Sequence, residues 1–248
     1  MDDYRRMVEQ ISRSNYAVAL TGAGISVESG IPDFRSAGGL WSKYDPSEYG
    51  YIESFRTNPA KVWKMLAELD QVLASADPNP AHRTLAELEK RGILRLVITQ
   101  NVDSLHQRAG STKVVEFHGS NRTLRCDSCG QRFPRASVSL ASLPPRCPCG
   151  AALRPDLVFF GEPIPGDAYH QAMAAASKCD FMLIVGTSAS VAPASQIPRL
   201  AKQNGAFMLE INPKVSELSY RLTDFRIAEP AGIALPGILA ALDESYNS

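Results

Sequence analysis

The chain has no excess of charge of either sign. Its 248 residues carry 26 Lys and Arg against 26 Asp and Glu, a formal net charge of zero, so the balance offers no counterion-releasing grip on a nucleic-acid backbone. Direct nucleic-acid binding is therefore not expected. Also missing are low-complexity tracts, repeats of fixed period and any apolar run approaching the ~20 residues of a membrane span. The opening MDDYRRMVEQ does not have the charged-then-apolar layout of a secretory leader. A cytoplasmic protein is expected, with no membrane partner, and short termini with neutral charge fit a monomer. Cysteine is scarce and uneven: four of the five, Cys126, Cys129, Cys147 and Cys149, crowd into one short stretch. In a reducing compartment that clustering points to a metal and not to disulfides. Cys179 stands apart and reads as a small buried hydrophobe.

What is present is ordinary globular material, 44% hydrophobic and 21% charged, long enough to bury a sizeable core. Met7, Val8 and Ile11 recur at helical spacing within 1–14, and 16–20 is a compact apolar run ending in glycine. The same alternation predicts a helix over 80–90 closed by Gly92, a strand over 94–99, a helix over 166–177 and a strand over 181–185. A helix over 197–204, a strand over 206–211 and a closing helix over 235–246 complete it. Continuous apolar strands alternating with helices argue for an α/β fold with a mostly parallel sheet covered on both faces. In such sheets ligands bind at the carboxyl ends of the strands, and polar clusters follow Thr21, Thr99, Val185 and Ile211. Two stretches break the alternation, an aromatic-rich one after residue 36 and the cysteine-bearing one, and together they suggest a smaller domain made of two insertions.

Cys126-x-x-Cys129 and Cys147-x-Cys149 are two thiolate pairs, each followed by glycine. Four thiolates satisfy a tetrahedral zinc and leave no position for water or substrate, so one structural ion is expected. Gly22-Ala23-Gly24 directly after a strand lets backbone amides approach a phosphate. The next glycine of that loop is Gly30, which breaks the G-x-G-x-x-G dinucleotide pattern, and a plain strand-to-helix turn explains the pair equally well. Gln100, Asn101 and Asp103 set two amides and a carboxylate at a strand end, and His118 follows between an apolar strand and Gly119. A carboxylate and a carboxamide can hold a pyridine amide, and a histidine of ordinary pKa ~6.5 can take a hydroxyl proton near neutrality. His82, His106 and His170 lie in helical surroundings and read as packing or surface histidines. The extended run 154–162 suits a sheet edge open to a peptide backbone, or a buried segment with two core phenylalanines.

Taken in order, GAGISVESGIPDFRS (22–36), TQNVDSLHQRAGS (99–111), FHGS (117–120), the four cysteines, LRPDLVFFGE (153–162), GTSASVAPAS (186–195) and EINP (210–213) closely resemble the signature motifs of the sirtuin family, in its bacterial form. The resemblance spans most of the chain. It implies a large Rossmann-like NAD-binding domain over 1–36, 80–120 and 155–248, with a small domain of helical module and zinc ribbon over 37–79 and 121–154. It implies an NAD-consuming protein lysine deacetylase acting on acyl-lysine proteins or peptides. Carried over residue by residue, Gly22, Ala23 and Gly24 line the phosphates, while Phe34 and Arg35 belong to a mobile cofactor loop. Gln100 and His118 face the nicotinamide ribose; Asn101, Asp103 and Ile31 form the nicotinamide pocket. Gly186, Thr187, Ser188 and Asn212 match the positions holding the adenosine half, Ala231 is a further cofactor-binding position, and Val158 and Phe160 match the acyl-lysine tunnel.

By the same resemblance, the acyl oxygen captures the ribose carbon as nicotinamide leaves, His118 removes a ribose proton, and water completes the path to free lysine and O-acyl-ADP-ribose. Members that prefer succinyl or malonyl groups carry a Tyr-x-x-Arg pair after a Val-Trp motif. Here Val62-Trp63 is followed by Leu66 and Leu69, so acetyl or longer apolar acyl groups are expected instead. Three other readings make different forecasts: a dehydrogenase would produce reduced cofactor, an ADP-ribosyltransferase would label a protein from NAD, and a zinc-dependent binding module would bind without turnover.

Overall fold

The computed structural model describes residues 2–33 and 38–246; the candidate cofactor residues Phe34 and Arg35 lie outside them. Helix α1 (Asp2–Ser12) leads into strand β1 (Ala17–Thr21), which is buried along its whole length. After it, 23–29 forms a 3-10 turn ended by Gly30 in the left-handed conformation. Four helices follow, α2 (Leu40–Lys43), α3 (Pro46–Tyr49), α4 (Ile52–Thr57) and α5 (Pro59–Ser75). Helix α6 (Pro80–Lys90) starts where Asn79 accepts the Ala81 and His82 amides, as an N-cap should.

Strand β2 (Leu94–Thr99), helix α7 (Leu105–Arg108) and the short strand β3 (Val114–Glu116) come next, then β4 (Gly119–Cys126), β5 (Arg132–Pro134) and β6 (Leu153–Leu157). The remainder alternates again: α8 (Gly166–Lys178), β7 (Phe181–Val185), α9 (Gln196–Gln203), β8 (Phe207–Ile211), α10 (Glu217–Arg221), β9 (Phe225–Ile227) and α11 (Ala231–Tyr246).

Six strands form one all-parallel sheet in the order β3-β2-β1-β7-β8-β9. Helix layers cover both faces, because every second residue of β1 packs into one of two cores: Ala17 and Ala19 face the side of α1, α6 and α11, and Val18 and Leu20 face that of α8 and α9. Strand β1 lies at the centre, and the chain turns outward to β2 on one side and β7 on the other. Its carboxyl end is thus the switch point where such sheets bind ligands. One sequence expectation shifts: α11 begins at Ala231, a turn before 235, where Glu28 accepts the Gly232 amide at 2.7 Å. The edge strand β9 is too short to have signalled itself.

A second, three-stranded antiparallel sheet has the order β5-β4-β6. A separate core joins it to the early helices: Trp63 and Phe55 pack with Leu124, Leu153 and Phe159, and Trp63 Nε1 donates to the Leu153 carbonyl at 2.7 Å. Among the described residues, no helix is long and apolar enough to cross a membrane.

Candidate active site

The site starts from two turns pressed together. Gly22 N–H donates to Val185 O at 3.1 Å and Gly24 N–H to Gly186 O at 2.8 Å, so the turn leaving β1 rests on the turn leaving β7. A methyl group on Gly24 would sit 2.7 Å from Gly186 Cα, and one on Gly22 would sit 2.6 Å from Thr187 Cβ. Gly186 in addition holds φ +59, a conformation glycine adopts cheaply. Gly24 and Gly186 are required by backbone-on-backbone contact and Gly22 by the Thr187 side chain; this packing is compatible with both readings of the broken fingerprint.

Onto this floor β2 delivers the polar strand end. Gln100 N–H donates to Thr21 O at 3.0 Å and its Nε2 to Thr187 Oγ1 at 2.8 Å. Buried Asn101 directs Nδ2 to Gly22 O and to Ser26 Oγ, both at 3.1 Å. Ser26 Oγ donates to Asp103 Oδ2 at 2.7 Å, and Leu105 N–H to Asp103 Oδ1 at 2.9 Å. Burial raises the Asp103 pKa, and these donors work against the rise. Ile31 is buried beside Val102 and Leu105, so an apolar wall stands next to the amide-carboxylate pair.

His118 reaches the same end of the sheet after β3. Its Nδ1 lies 3.0 Å from Gln100 O; a carbonyl only accepts, which makes Nδ1 the protonated nitrogen and leaves the Nε2 lone pair free to act as a base. Burial lowers its pKa, partly offset by the Gln100 carbonyl, and the ring is neutral at pH 7. His118 O also accepts the Val158 amide at 2.9 Å, which ties the imidazole to the segment carrying Val158 and Phe160.

That segment is a sheet edge in its first part, since β6 is the outer strand of the three-stranded sheet, but not in its last. Strand β6 ends at Leu157, and Phe160 exchanges backbone bonds with Gly50 and Ile52 at 2.9 and 3.0 Å. Phe159 is core, while the ring of Phe160 is exposed and lies 5.4 Å from that of Tyr51 and 6.3 Å from that of Trp41. A cleft of about 860 Å³ beside β3 and β4 shares Val158 with this region; the glycine turn and Asp103 lie elsewhere.

On the β7 side, Thr187 Oγ1 accepts both Gln100 Nε2 and the Ala189 amide, and the Ser188 hydroxyl lies 3.1 Å from that of Ser190. Asn212 follows β8, its Oδ1 accepting the Lys214 amide at 3.1 Å, and Ala231 is buried at the start of α11. Both stand at the β8–α11 end of the sheet, away from the His118 side.

Ser26, within this network, has no sequence signal of its own. His82 and His106 lie beside it: both are buried, their rings meet edge to face at 4.9 Å, and His106 Nε2 and His82 Nε2 lie 2.9 Å from Thr21 Oγ1 and 3.4 Å from Ser26 Oγ. Desolvation lowers their pKa values to about 3 and about 4. They are packing histidines, as expected, beneath the candidate pocket.

The four cysteines converge. Their sulfurs all lie within 4.8 Å of one another, with Cys126–Cys149 and Cys129–Cys147 at 3.5 Å. A tetrahedron with Zn–S of ~2.3 Å has sulfurs ~3.8 Å apart, so the four fit one zinc ion. The Cys129 amide helps bring Cys126 down to about 7, whereas Cys147, despite the Cys149 amide, is driven up to about 12 by burial and the neighbouring thiols. One thiolate resists the next, and a dication allows all four to ionise.

The chain is similar to known proteins over most of its length. The model of the Sir2 family matches residues 22–193. The chain is 44% identical over 228 residues to NAD-dependent protein deacylase 1 of Archaeoglobus fulgidus, covering 92% of this chain and 93% of that one. It is similar to the solved structure of a Sir2 homolog–NAD complex, with TM-score 0.90, 41% identity and coverage of 97% and 94% of the two chains. A Sir2–p53 peptide–NAD+ complex matches with TM-score 0.87, 32% identity and 98% coverage of both.

Proposed function

The chain belongs to the Sir2 family, and from that premise we propose that it is an NAD-dependent protein lysine deacetylase. It would convert an acyl-lysine peptide, NAD and water into free lysine, nicotinamide and O-acyl-ADP-ribose. The observation that carries the proposal is the convergence of His118, Gln100, Asn101 and Asp103 on the glycine turn at the carboxyl end of the central strand. NAD, when bound, supplies an electrophilic ribose carbon and a nicotinamide leaving group. The chain's own residues do the rest: Gly22, Ala23 and Gly24 receive phosphate, and Thr187, Ser188, Asn212 and Ala231 take the adenosine half. Asn101 and Asp103 hold the pyridine amide against Ile31. His118 Nε2 takes the proton of a ribose hydroxyl, with Gln100 O holding the tautomer. Excluding water from this end of the sheet when NAD and peptide are bound would keep it from capturing the ribose.

Val158 and Phe160 flank the acyl-lysine stem. Leu66 is buried and Leu69 half-buried, each in an apolar cluster, so no cationic anchor stands at the two positions where a carboxylated acyl group would need one. This supports acetyl or apolar acyl groups over succinyl and malonyl. The shared core of α4 and α5 with the three-stranded sheet supports a zinc-stapled small domain over 37–79 and 121–154 beside a large one over 1–36, 80–120 and 155–248.

The deciding experiment incubates acetyl- and succinyl-lysine peptides with NAD and reads nicotinamide and peptide mass. Nicotinamide release matched by deacetylation is expected. Intact NAD across a panel of acylated lysines would refute the proposal, formation of reduced cofactor would redirect it to a dehydrogenase, and efficient succinyl turnover would refute the acyl preference.

A further inference from the structure

Arg154 is the one arginine whose side chain is completely buried among the ion pairs of the described residues. A buried guanidinium demands satisfied partners, and each of its nitrogens has one. Nε donates to Asp127 Oδ2 at 2.8 Å, Nη1 to Leu157 O at 3.1 Å, and Nη2 to Glu162 Oε1. The cation also lies 5.2 Å from the centre of the Phe159 ring.

The partners come from two places. Asp127 sits between Cys126 and Cys129, inside the turn that carries two of the four thiolates. Glu162 is nearly buried, and its second oxygen accepts the Phe159 amide at 3.0 Å. One guanidinium thus spans from the metal turn to the backbone between Val158 and Phe160. Arg125 doubles the bridge by donating to Asp127 Oδ1 at 3.1 Å and to Glu162 Oε1 at 3.2 Å.

We infer that Arg154 is a positioning residue: with Asp127 and Glu162 it transmits the order of the zinc-bound turn to the 157–162 segment, and so sets the affinity for the acyl-lysine substrate. The inference rests on the proposed function for its substrate. The physical reason lies in the geometry of the fork. Charge-assisted bonds from a planar guanidinium fix direction as well as distance, and the Phe159 amide is held by a carboxylate whose other oxygen Arg154 holds. If the metal turn loosens, Asp127 withdraws, the buried cation loses a partner, and the Phe159 turn loses its clamp. The cofactor floor at Gly22, Gly24 and Gly186 belongs to the other sheet and shares none of these bonds.

The test compares wild type, Asp127→Asn and Arg154→Lys, all zinc-loaded, by amide hydrogen exchange without peptide or NAD, and wild type again after zinc is stripped. Amides of Val158 and Phe159 are expected to exchange about tenfold faster in both variants, with strand β7 unmoved. Stripping the metal gives at least the same increase. In turnover, the variants raise peptide KM about tenfold while NAD KM stays within about twofold and zinc stays at one per chain. A general loss of structure would move both KM values.

Asp127 is 42% exposed, so Asp127→Asn is expected to keep its fold, with an unchanged circular dichroism spectrum as the check, and it decides the matter even where Arg154→Lys does not fold. Should wild type turn over no acylated peptide, the proposed reaction fails, and exchange still decides the coupling. Unchanged exchange at Phe159 in Asp127→Asn, or peptide and NAD KM rising together, overturns it.

Discussion

His118 illustrates how much of a residue's chemistry depends on a neighbour's backbone. The Gln100 carbonyl chooses its tautomer and burial lowers its pKa, so the base form already dominates at neutral pH. The acid limb of kcat/KM should therefore fall as pH drops, with a midpoint below the ordinary ~6.5 of histidine; a midpoint above 6.5 in the pH–rate profile would contradict it. His118→Ala should reduce turnover by roughly 10² to 10⁴ with an unchanged circular dichroism spectrum, and retained activity would remove the histidine from the chemistry. The lone imidazole and the amide-carboxylate cluster were legible in the sequence because each sits at the end of an apolar run. Ser26, which bridges Asn101 and Asp103, was not: one hydroxyl in a turn has no periodicity to betray it. Arg154, Asp127 and Glu162 were equally silent, since charge pairing across a fold cannot be read from separation along the chain.

Among elements, the strands were the clearest to read, because a parallel strand buried on both faces is a near-continuous apolar run, as in 17–21 and 181–185. The turns between them were harder, since their form depends on what they touch. Gly24 is the case in point. Gly24→Ala would force its methyl into the Gly186 backbone, so we expect at least about tenfold weaker NAD binding by calorimetry and stability lower by roughly 1 to 3 kcal/mol. Wild-type affinity in that variant would mean the two turns can separate freely. In the small sheet the cysteine spacing was decisive, and the union of the two insertions was expected, while Trp63 as the residue that joins them was not. Cys126→Ser should lower the zinc content and drop Tm by roughly 5 to 10 °C; an unchanged melt with full zinc would show the fourth thiolate to be dispensable.

At the scale of the whole molecule, two buried rings contribute to acid sensitivity. His82 and His106 have folded pKa values of about 4 and about 3, below the ~6.5 of an unfolded chain. The unfolded state therefore binds more protons in that window. Stability is fully present above pH ~6.5 and is lost on acidification, by about 1.4 kcal/mol per pH unit for each ring until its folded pKa is reached. Urea midpoints measured between pH 7 and 5 test this, and a flat profile would sink it. The α/β class followed from the sequence alone, whereas the strand order did not, because alternation does not say on which side of β1 each unit is laid.

That order has a consequence for biosynthesis. The floor at the centre of the sheet is made by a turn near the amino terminus and another about 160 residues later, and the chain between them must be complete before the two can meet. While a ribosome still holds 181–186, the early half of the pocket has nothing to close against. The dinucleotide is thus excluded as a helper in the first stages of folding, and a truncated translation product ending before β7 should be unable to deplete its supply in the cell.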